Sequence, residues 1–554
     1  MLTIEGIATS SGIADGRLFI LENDNKAPKM VTVADTHAEL DRLFTAIETA
    51  KEQLAELYQK AVVSVGEENA AIFEIHSMML EDEDYLENIR NIIRVESICA
   101  EYAVYITGIQ FGEIFSSLED EYMRGRAADI LDLSGRVVDI LCGRNKTQLR
   151  DVTEKVVIAA EDLMPSQTIQ LDKSKISAFV TKNGTASSHA SILARSLGLP
   201  AVSALGDGFH QLRHGQFAIV DGVDGLVICE PDRILSAQYE WKRCQLEEEK
   251  IRLQTIKGTK AVTQDGLHLE ICANIGHPDE ASPALEEDAD GVGLFRSEFL
   301  YLESSDFPSE EVQMAAYKKV LEQMRGRRVV VRTLDLGADK QAPYFHIPHE
   351  DNPALGYRAI RIELDRTEIF VTQLRALLRA SVYGKLAIMF PMIVSMEEVH
   401  SIKRMIAGVK EDLRAEGISF AEEVELGIMV ETPAAVMLAD RLAKEVDFFS
   451  IGTNDLTQFT LAVDRMNSKI SYLYDYGSPA VLRMIDFTVK QAHKNGIWVG
   501  ICGESAADIE LIPYYVGMGV DELSVSPSAI LKVKEKVQSL NAEECRIRAE
   551  KELA

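Results

Sequence analysis

Apolar positions change their spacing three times along this chain. Over the first twenty residues, short apolar stretches separated by Gly6, Gly12 and Gly16 predict strands and tight turns. From about Val33 to Cys142 the spacing becomes that of long amphipathic helices almost free of Gly and Pro, clearest over residues 38–60 and 98–115. Strand-like runs return at residues 155–160, 176–181 and 216–221. A helical domain, residues 33–142, is therefore expected to interrupt an α/β domain made of residues 1–32 and 143–230. After Pro231 a charged helical stretch, residues 233–255, reads as a connector within residues 231–261.

The remaining segment, residues 262–554, alternates apolar strands with amphipathic helices. Strands are expected at residues 268–275, 291–298, 328–335, 385–393, 425–431, 447–453, 498–502 and 521–525. Eight such runs over about 280 residues match a (β/α)8 barrel in count and size. The alternative is an open doubly wound sheet, but no glycine-rich nucleotide fingerprint follows any of these strands. The expected fold is thus multidomain α/β, ending in a barrel.

Composition narrows the partners. At 554 residues the chain needs roughly three or four cores, and with 46% hydrophobic and 26% charged residues it can build them. Acidic residues number 88 against 58 basic ones, a formal charge of −30. That argues against nucleic acid or an anionic membrane as main partner and suits a basic protein. Seven scattered cysteines without a C-x-x-C pair indicate a reducing compartment, with neither a disulfide framework nor a zinc site. The first residues lack a charged and apolar leader pattern, and no apolar run reaches membrane-spanning length, so a cytoplasmic location without membrane insertion is expected.

Candidate chemistry lies in two places. In Asn183-Gly184-Thr185-Ala186-Ser187-Ser188-His189, Gly184 reads as a turn and Ser187 or Ser188 as an N-cap, so His189 falls in the first turn of a helix. Free N–H groups there favour an anion and disfavour an imidazolium, which suits a neutral histidine that becomes anionic on phosphorylation. The run supplies no companion ligands for a metal and no orienting carboxylate for a general base. A plain surface helix that happens to carry a histidine is the other reading. The second place is the carboxyl end of the expected barrel, where active sites of this architecture lie. Strand ends there carry Arg296 and Glu298, Arg332 and Asp335, Glu431, Asn454 and Asp455, then Cys502 and Glu504, with Lys340, Arg358 and Arg465 on nearby loops. Arginine forks fit phosphate and carboxylate oxygens. Glu431 and Asp455, at the ends of successive strands, are expected side by side, an arrangement suited to magnesium. Cys502, between glycines, is a candidate proton donor, since an ordinary thiol is mostly protonated at neutral pH.

Several segments are more specific than any single motif: Gly293-Leu294-Phe295-Arg296-Ser297-Glu298, Val331-Arg332-Thr333-Leu334-Asp335, Asn352-Pro353-Ala354-Leu355-Gly356-Tyr357-Arg358, Met429-Val430-Glu431-Thr432-Pro433, Gly452-Thr453-Asn454-Asp455-Leu456 and Cys502-Gly503-Glu504. With Gly6-Ile7-Ala8 and Ser11-Gly12-Ile13-Ala14, they make the whole chain resemble the Enzyme I family, the phosphoenolpyruvate-protein phosphotransferases of the bacterial sugar phosphotransferase system. The resemblance implies a swivelling phosphohistidine α/β domain, an inserted helical domain that docks a histidine-containing phosphocarrier protein, and a C-terminal TIM barrel that binds phosphoenolpyruvate with Mg2+ and forms a homodimer. It implies that His189 is the nucleophile, phosphorylated at Nε2. Arg296, Arg332 and Arg358 would hold the phosphoryl group, Asn454, Asp455 and Arg465 the rest of the substrate site, Glu431 and Asp455 the metal, and Cys502 would protonate the enolate.

The family usually has glycine four residues before the histidine and often threonine two before it. This chain has Thr185 and Ser187, which costs the turn some backbone freedom and keeps the hydroxyl. Between Val63 and Asn88 the helical insertion carries many acidic residues and no Lys or Arg, a face expected to steer a basic carrier through Glu67, Glu68, Asp82, Asp84 and Met78. His76 is read as a packing or surface residue and Arg126 as a salt-bridge residue. Two rivals stay open at this stage. A dikinase would need an ATP-binding domain of about two hundred residues, for which the insertion is too short. A silent regulator that senses phosphoenolpyruvate would never label His189.

Overall fold

The computed structural model describes residues 1–21, 27–65, 76–117, 121–143, 154–161, 163, 173–184, 188–302, 304, 306–337, 342–465, 467 and 469–553. The chain forms two compact units, Met1–Glu249 and Lys250–Ala554. The first contains an eight-stranded mixed sheet in the order β1-β8-β7-β3-β4-β5-β6-β2. Its strands are β1 (Leu2–Glu5), β2 (Ile7–Ser10), β3 (Ile13–Leu21), β4 (Val156–Ala160), β5 (Ile176–Thr181), β6 (Ala201–Ser203), β7 (Phe217–Asp221) and β8 (Leu226–Cys229). β3 and β4 are parallel neighbours, with Arg17 opposite Val156, although more than a hundred residues of chain separate them. A strand pair across such a gap is what an inserted domain leaves behind. Because side chains alternate faces along a strand, Val157 and Ala159 join Leu18, Val180 and Val220 on one side of the sheet. Ile158 and Ala160 pack with Phe179 on the other, against Ala190 and Ala194 of the helix His189–Leu197.

The insertion is helical: Thr36–Val65, Glu83–Glu96, Ala100–Ser117 and Glu121–Leu141. Leu43, Ala50, Leu54, Ile89, Ile93, Ala103, Val104, Leu133 and Val137 make its core. Ala100–Ser117 and Glu121–Leu141 approach closely because Gly108 faces Ser134, where a Cβ would come within 2.5 Å of the serine. Arg233–Thr255 is one continuous helix whose Lys242 reaches Asp221 (2.7 Å) and Asp224 (2.6 Å). Among the described residues, no helix is long and apolar enough to cross a membrane.

The second unit is a closed barrel of eight parallel strands: β9 (Glu270–Ile275), β10 (Val292–Arg296), β11 (Arg328–Arg332), β12 (Lys385–Phe390), β13 (Glu425–Val430), β14 (Phe448–Ile451), β15 (Trp498–Ile501) and β16 (Glu522–Val525). The doubly wound alternative is thereby excluded. Every expected strand is present, but each is shorter at one or both ends. Apolar character persists past the last ladder bond because Leu334 and Leu336, for example, leave the sheet and still pack into the core. Alternate residues fill the barrel interior, among them Leu294, Val330, Ala387, Met389, Met429 and Phe448, and the others face the surrounding helices.

The amino-terminal end of the barrel is closed by stacked rings and charge. Phe448 stacks on Trp498 with centroids 4.4 Å apart, and the Arg328 guanidinium lies 3.9 Å over Trp498. Arg328 also pairs with Glu270 and with buried Glu522, whose carboxyl group burial pushes up to about 7. Gly427 of β13 leaves room for the Phe448 ring, which a Cβ would meet at 2.4 Å. With the ring already stacked, it has nowhere to go. Gly427→Ala is therefore expected to destabilise the barrel by about 1–3 kcal/mol. Urea unfolding followed by Trp498 fluorescence will measure this, and an unchanged midpoint would contradict the packing described.

Candidate active site

The carboxyl ends of the barrel strands gather a dense set of charges. Arg332, the last residue of β11, is buried and pairs with Glu298 and with Asp335 (2.9 Å). Buried Arg358 reaches the other oxygen of Asp335 (2.8 Å) and lies 3.5 Å from Asp455. One carboxylate therefore spaces two guanidinium groups. Burial opposes the charge of both arginines, but the surrounding carboxylates outweigh it and hold them protonated, above the usual arginine range. The Nε–H of each is buried with no hydrogen-bond partner among the described residues, a donor suited to a ligand oxygen. Arg296, the last residue of β10, is exposed and close enough to act electrostatically on Cys502.

Glu431 follows β13 by one residue, and its Oε1 accepts the Met392 N–H (2.6 Å). Asp455 is not at a strand end as expected. It lies in the first turn of the helix Thr453–Leu461, where the helix N-terminus favours a carboxylate. The two are still neighbours: burial first, then the charges of Asp455 and Asp335, push the Glu431 carboxyl group up. Gly452 lies between them, and a Cβ there would come within 3.0 Å of Glu431 Oε2. Among the described residues, the buried carboxyl groups of Glu298, Asp335, Glu431 and Asp455 gather with the buried guanidinium groups of Arg332 and Arg358. The hard oxygen donors of Glu431 and Asp455, side by side, fit a divalent cation such as magnesium.

A second grouping of possible ligands, Glu270, Cys272 and Glu522, lies at the opposite end of the barrel. There the Arg328 guanidinium already supplies the positive charge.

Cys502 follows β15, and its N–H continues the ladder to the Ile451 carbonyl (3.1 Å). Its thiol is buried rather than displayed on an open turn. Burial pushes the thiol up to about 11, against the pull of the Ser450 hydroxyl, Arg332 and Arg296. Gly503 is required beside it, because a Cβ would meet Thr453 Oγ1 at 1.9 Å. The Asn454 amide is held by Glu504, donating to its carboxylate (3.1 Å) and accepting its backbone N–H (3.0 Å). Tyr476 donates to the same Asn454 oxygen (3.2 Å). Arg465 is exposed, near enough to Tyr474 to act on its phenol, but no ion pair ties it to the cluster among the described residues. Lys340 lies outside the described residues.

In the first unit, Ser188 is the N-cap of the helix His189–Leu197, in extended conformation, and makes no side-chain cap bond. Its hydroxyl lies 2.9 Å from Ser191 Oγ instead. The first-turn N–H groups at His189 are thus not capped by it. Gly184 has φ +112° and sits against Ser188, so the turn before the helix needs glycine. Thr185 and Ser187 lie outside the described residues, as do the side chain of His189 and, in the helical insertion, Glu67, Glu68 and the side chain of Arg126.

Met78 is exposed. Asp82 caps the helix Glu83–Glu96 by accepting the Tyr85 N–H (2.9 Å), and Asp84 is exposed in its first turn. His76 is buried with Nε2 3.3 Å from Asp129, a packing position.

Sequence reasoning missed the residues that hold the site. Asn274 donates to the carbonyls of Cys502 (3.1 Å) and Ser524 (3.0 Å), and Gln373 and Glu363 bond to the backbone behind Arg332. Polar residues at expected core positions were the available signal.

Three family models match the chain: "PEP-utilising enzyme, N-terminal" over residues 5–126, "PEP-utilising enzyme, mobile domain" over 152–225 and "PEP-utilising enzyme, PEP-binding domain" over 250–542. Proteins named phosphoenolpyruvate-protein phosphotransferase resemble it along its length. The one from Geobacillus stearothermophilus is 47% identical over 542 residues, covering 98% of this chain and 94% of that protein. The one from Bacillus subtilis (strain 168) is 43% identical over 554 residues, covering 100% and 97%.

The buried thiol makes a prediction. With its titration near 11, only about a thousandth of Cys502 is thiolate at pH 8. Iodoacetamide is therefore expected to alkylate exposed Cys244 first and Cys502 at least about 100-fold more slowly, with the Cys502 rate still rising above pH 10. Peptide mass mapping reads both, and equal rates at pH 8 would refute the assignment.

Proposed function

We propose how a chain that belongs to the phosphoenolpyruvate-protein phosphotransferase family carries out that family's reaction: the phosphoryl group passes from phosphoenolpyruvate to His189 and on to a histidine of a small phosphocarrier protein, releasing pyruvate. The observation that carries the reading is the barrel mouth, where Arg332 and Arg358 share Asp335 beside Glu431, Asp455 and the protonated Cys502. We assign residues 1–32 and 143–230 to the phosphohistidine domain, 33–142 to carrier docking, 231–261 to the linker and 262–554 to substrate binding and dimerisation, in a cytoplasmic protein.

Glu431 and Asp455 would hold Mg2+, which when bound neutralises charge on the substrate oxygens. Arg296, Arg332 and Arg358 direct N–H groups at the phosphoryl oxygens, and Asn454 and Arg465 hold the enolpyruvate end. Phosphoryl transfer asks the protein chiefly for positioning and charge neutralisation, which these groups supply. The His189 Nε2 lone pair forms the new bond to phosphorus. The bond from phosphorus to the enol oxygen breaks, and its electron pair remains on that oxygen. The enolate carbon then takes the proton of Cys502 Sγ, giving pyruvate and a thiolate that solvent reprotonates. A thiol kept protonated by burial is suited to that donation. The phosphohistidine, dianionic at the start of a helix, is steadied by the first-turn N–H groups until the carrier accepts it. Met78, Asp82 and Asp84, with Glu67 and Glu68, would receive the basic carrier.

Labelled phosphoenolpyruvate with Mg2+ is expected to leave an acid-labile, base-stable label on the wild type and none on His189→Ala. A label on that variant would remove His189 from the reaction, and an unlabelled wild type would favour a silent regulator. Cys502→Ala is expected to keep phosphoryl exchange between phosphocarrier and His189 while pyruvate turnover falls about 100-fold or more. Chelating the metal should likewise stop labelling from phosphoenolpyruvate and spare exchange with the phosphocarrier.

A further inference from the structure

We propose that Gln373 is a positioning residue for substrate binding, its side-chain amide fixing the loops that follow the arginine-bearing strands β10 and β11 at the barrel mouth. This rests on the mouth being the phosphoenolpyruvate site. Gln373 projects from the helix Thr367–Ala380, which packs outside the barrel, and is fully buried. Its Oε1 accepts the N–H of Leu334 (3.1 Å), and its Nε2 donates to Ser297 Oγ (3.1 Å). Ser297 stands between Arg296 and Glu298. Leu334 stands beside Asp335, the carboxylate shared by Arg332 and Arg358. One planar amide thus joins the loop that follows Arg296, the end of β10, to the loop that follows Arg332, the end of β11, while the ladder pairs the two arginines themselves.

The connection is braced from both sides. Glu363 accepts the Thr333 hydroxyl (3.1 Å) and the same Leu334 N–H (3.1 Å). Gln373 Nε2 also donates to the Tyr317 hydroxyl (3.0 Å), which donates to Gln313 Oε1 (3.3 Å), whose amide in turn donates to the Pro308 carbonyl (3.0 Å). Around these groups the helix buries Ile369, Phe370, Leu374 and Leu377. Leucine or methionine would hold the helix to the barrel as well as glutamine does, since adhesion needs only apolar area. What the amide adds is direction at both loops, because each bond is satisfied only at one loop spacing. Phosphoryl recognition by several arginines is sensitive to that spacing, and a shift of about 1 Å can cost about 100-fold in rate.

The test uses the full chain with phosphoenolpyruvate, Mg2+ and the phosphocarrier. Gln373→Met, which keeps the volume and deletes all three of its hydrogen bonds, is expected to raise KM for phosphoenolpyruvate about 10-fold or more and to lower kcat. Phosphoryl exchange between phosphocarrier and His189 should be unchanged. Ser297→Ala removes one oxygen with no change in packing and should raise KM about 3-fold. A merely structural Gln373 would reduce the fraction of active enzyme and leave the KM of the remainder unaltered; that result, or wild-type KM in Ser297→Ala, overturns the proposal. Arg332→Met serves as the reference: if it keeps the wild-type KM, the reading of the mouth itself has failed, independently of Gln373.

Discussion

Carboxyl and guanidinium groups withdrawn from water crowd one end of the barrel. Glu298, Asp335, Glu431 and Asp455 are withdrawn from water at the same end as Arg332 and Arg358, and a charge in that setting persists only when another group answers it. Asp335 answers both guanidinium groups at once, and Arg358 also lies 3.5 Å from Asp455, with Glu431 packed beside Asp455 across Gly452. Burial first, and then the charges of Asp455 and Asp335, push the Glu431 carboxyl group up. On the proposed reading, a divalent cation held by these two residues would favour their carboxylate forms.

The opposite end of the barrel shows the contrasting solution. Glu270 and Glu522 also crowd together there, but Arg328 supplies the counter-charge from within the chain and is itself stacked on Trp498. Glu522 is as buried as the carboxyl groups of the mouth, while Glu270 keeps part of its side chain in solvent. The loops that follow the strands lie at the other end, where the proposed substrate site is.

Much of this was legible in the chain. Eight apolar runs separated by amphipathic stretches specify eight barrel strands, and each charged residue at the end of a run points to the mouth. The limits of each strand were less legible, because Leu334 and Leu336 are as apolar as the ladder residues before them and only the hydrogen bonds tell them apart. Asp455 was placed at a strand end for the same reason, although Thr453 already begins a helix. Gln373 was overlooked although a signal existed: in Thr367–Ala380 it falls at helical spacing with Ile369, Phe370 and Leu377, a polar residue on the apolar face, but spacing alone does not say which loops its amide meets.

Cys502 shows why a proton donor belongs in the same cavity. A donor has to keep its proton until the enolate forms, and burial alone would hold a thiol protonated almost without limit. Arg332, Arg296 and the Ser450 hydroxyl pull in the other direction, so the thiol stays protonated near neutral pH while its anion retains partners once the proton is gone. On the proposed reading, the guanidinium that would hold the phosphoryl oxygens also moderates the acidity of the donor, so the position of Arg332, set by Glu298 and Asp335, would bear on both phosphorus–oxygen cleavage and carbon protonation.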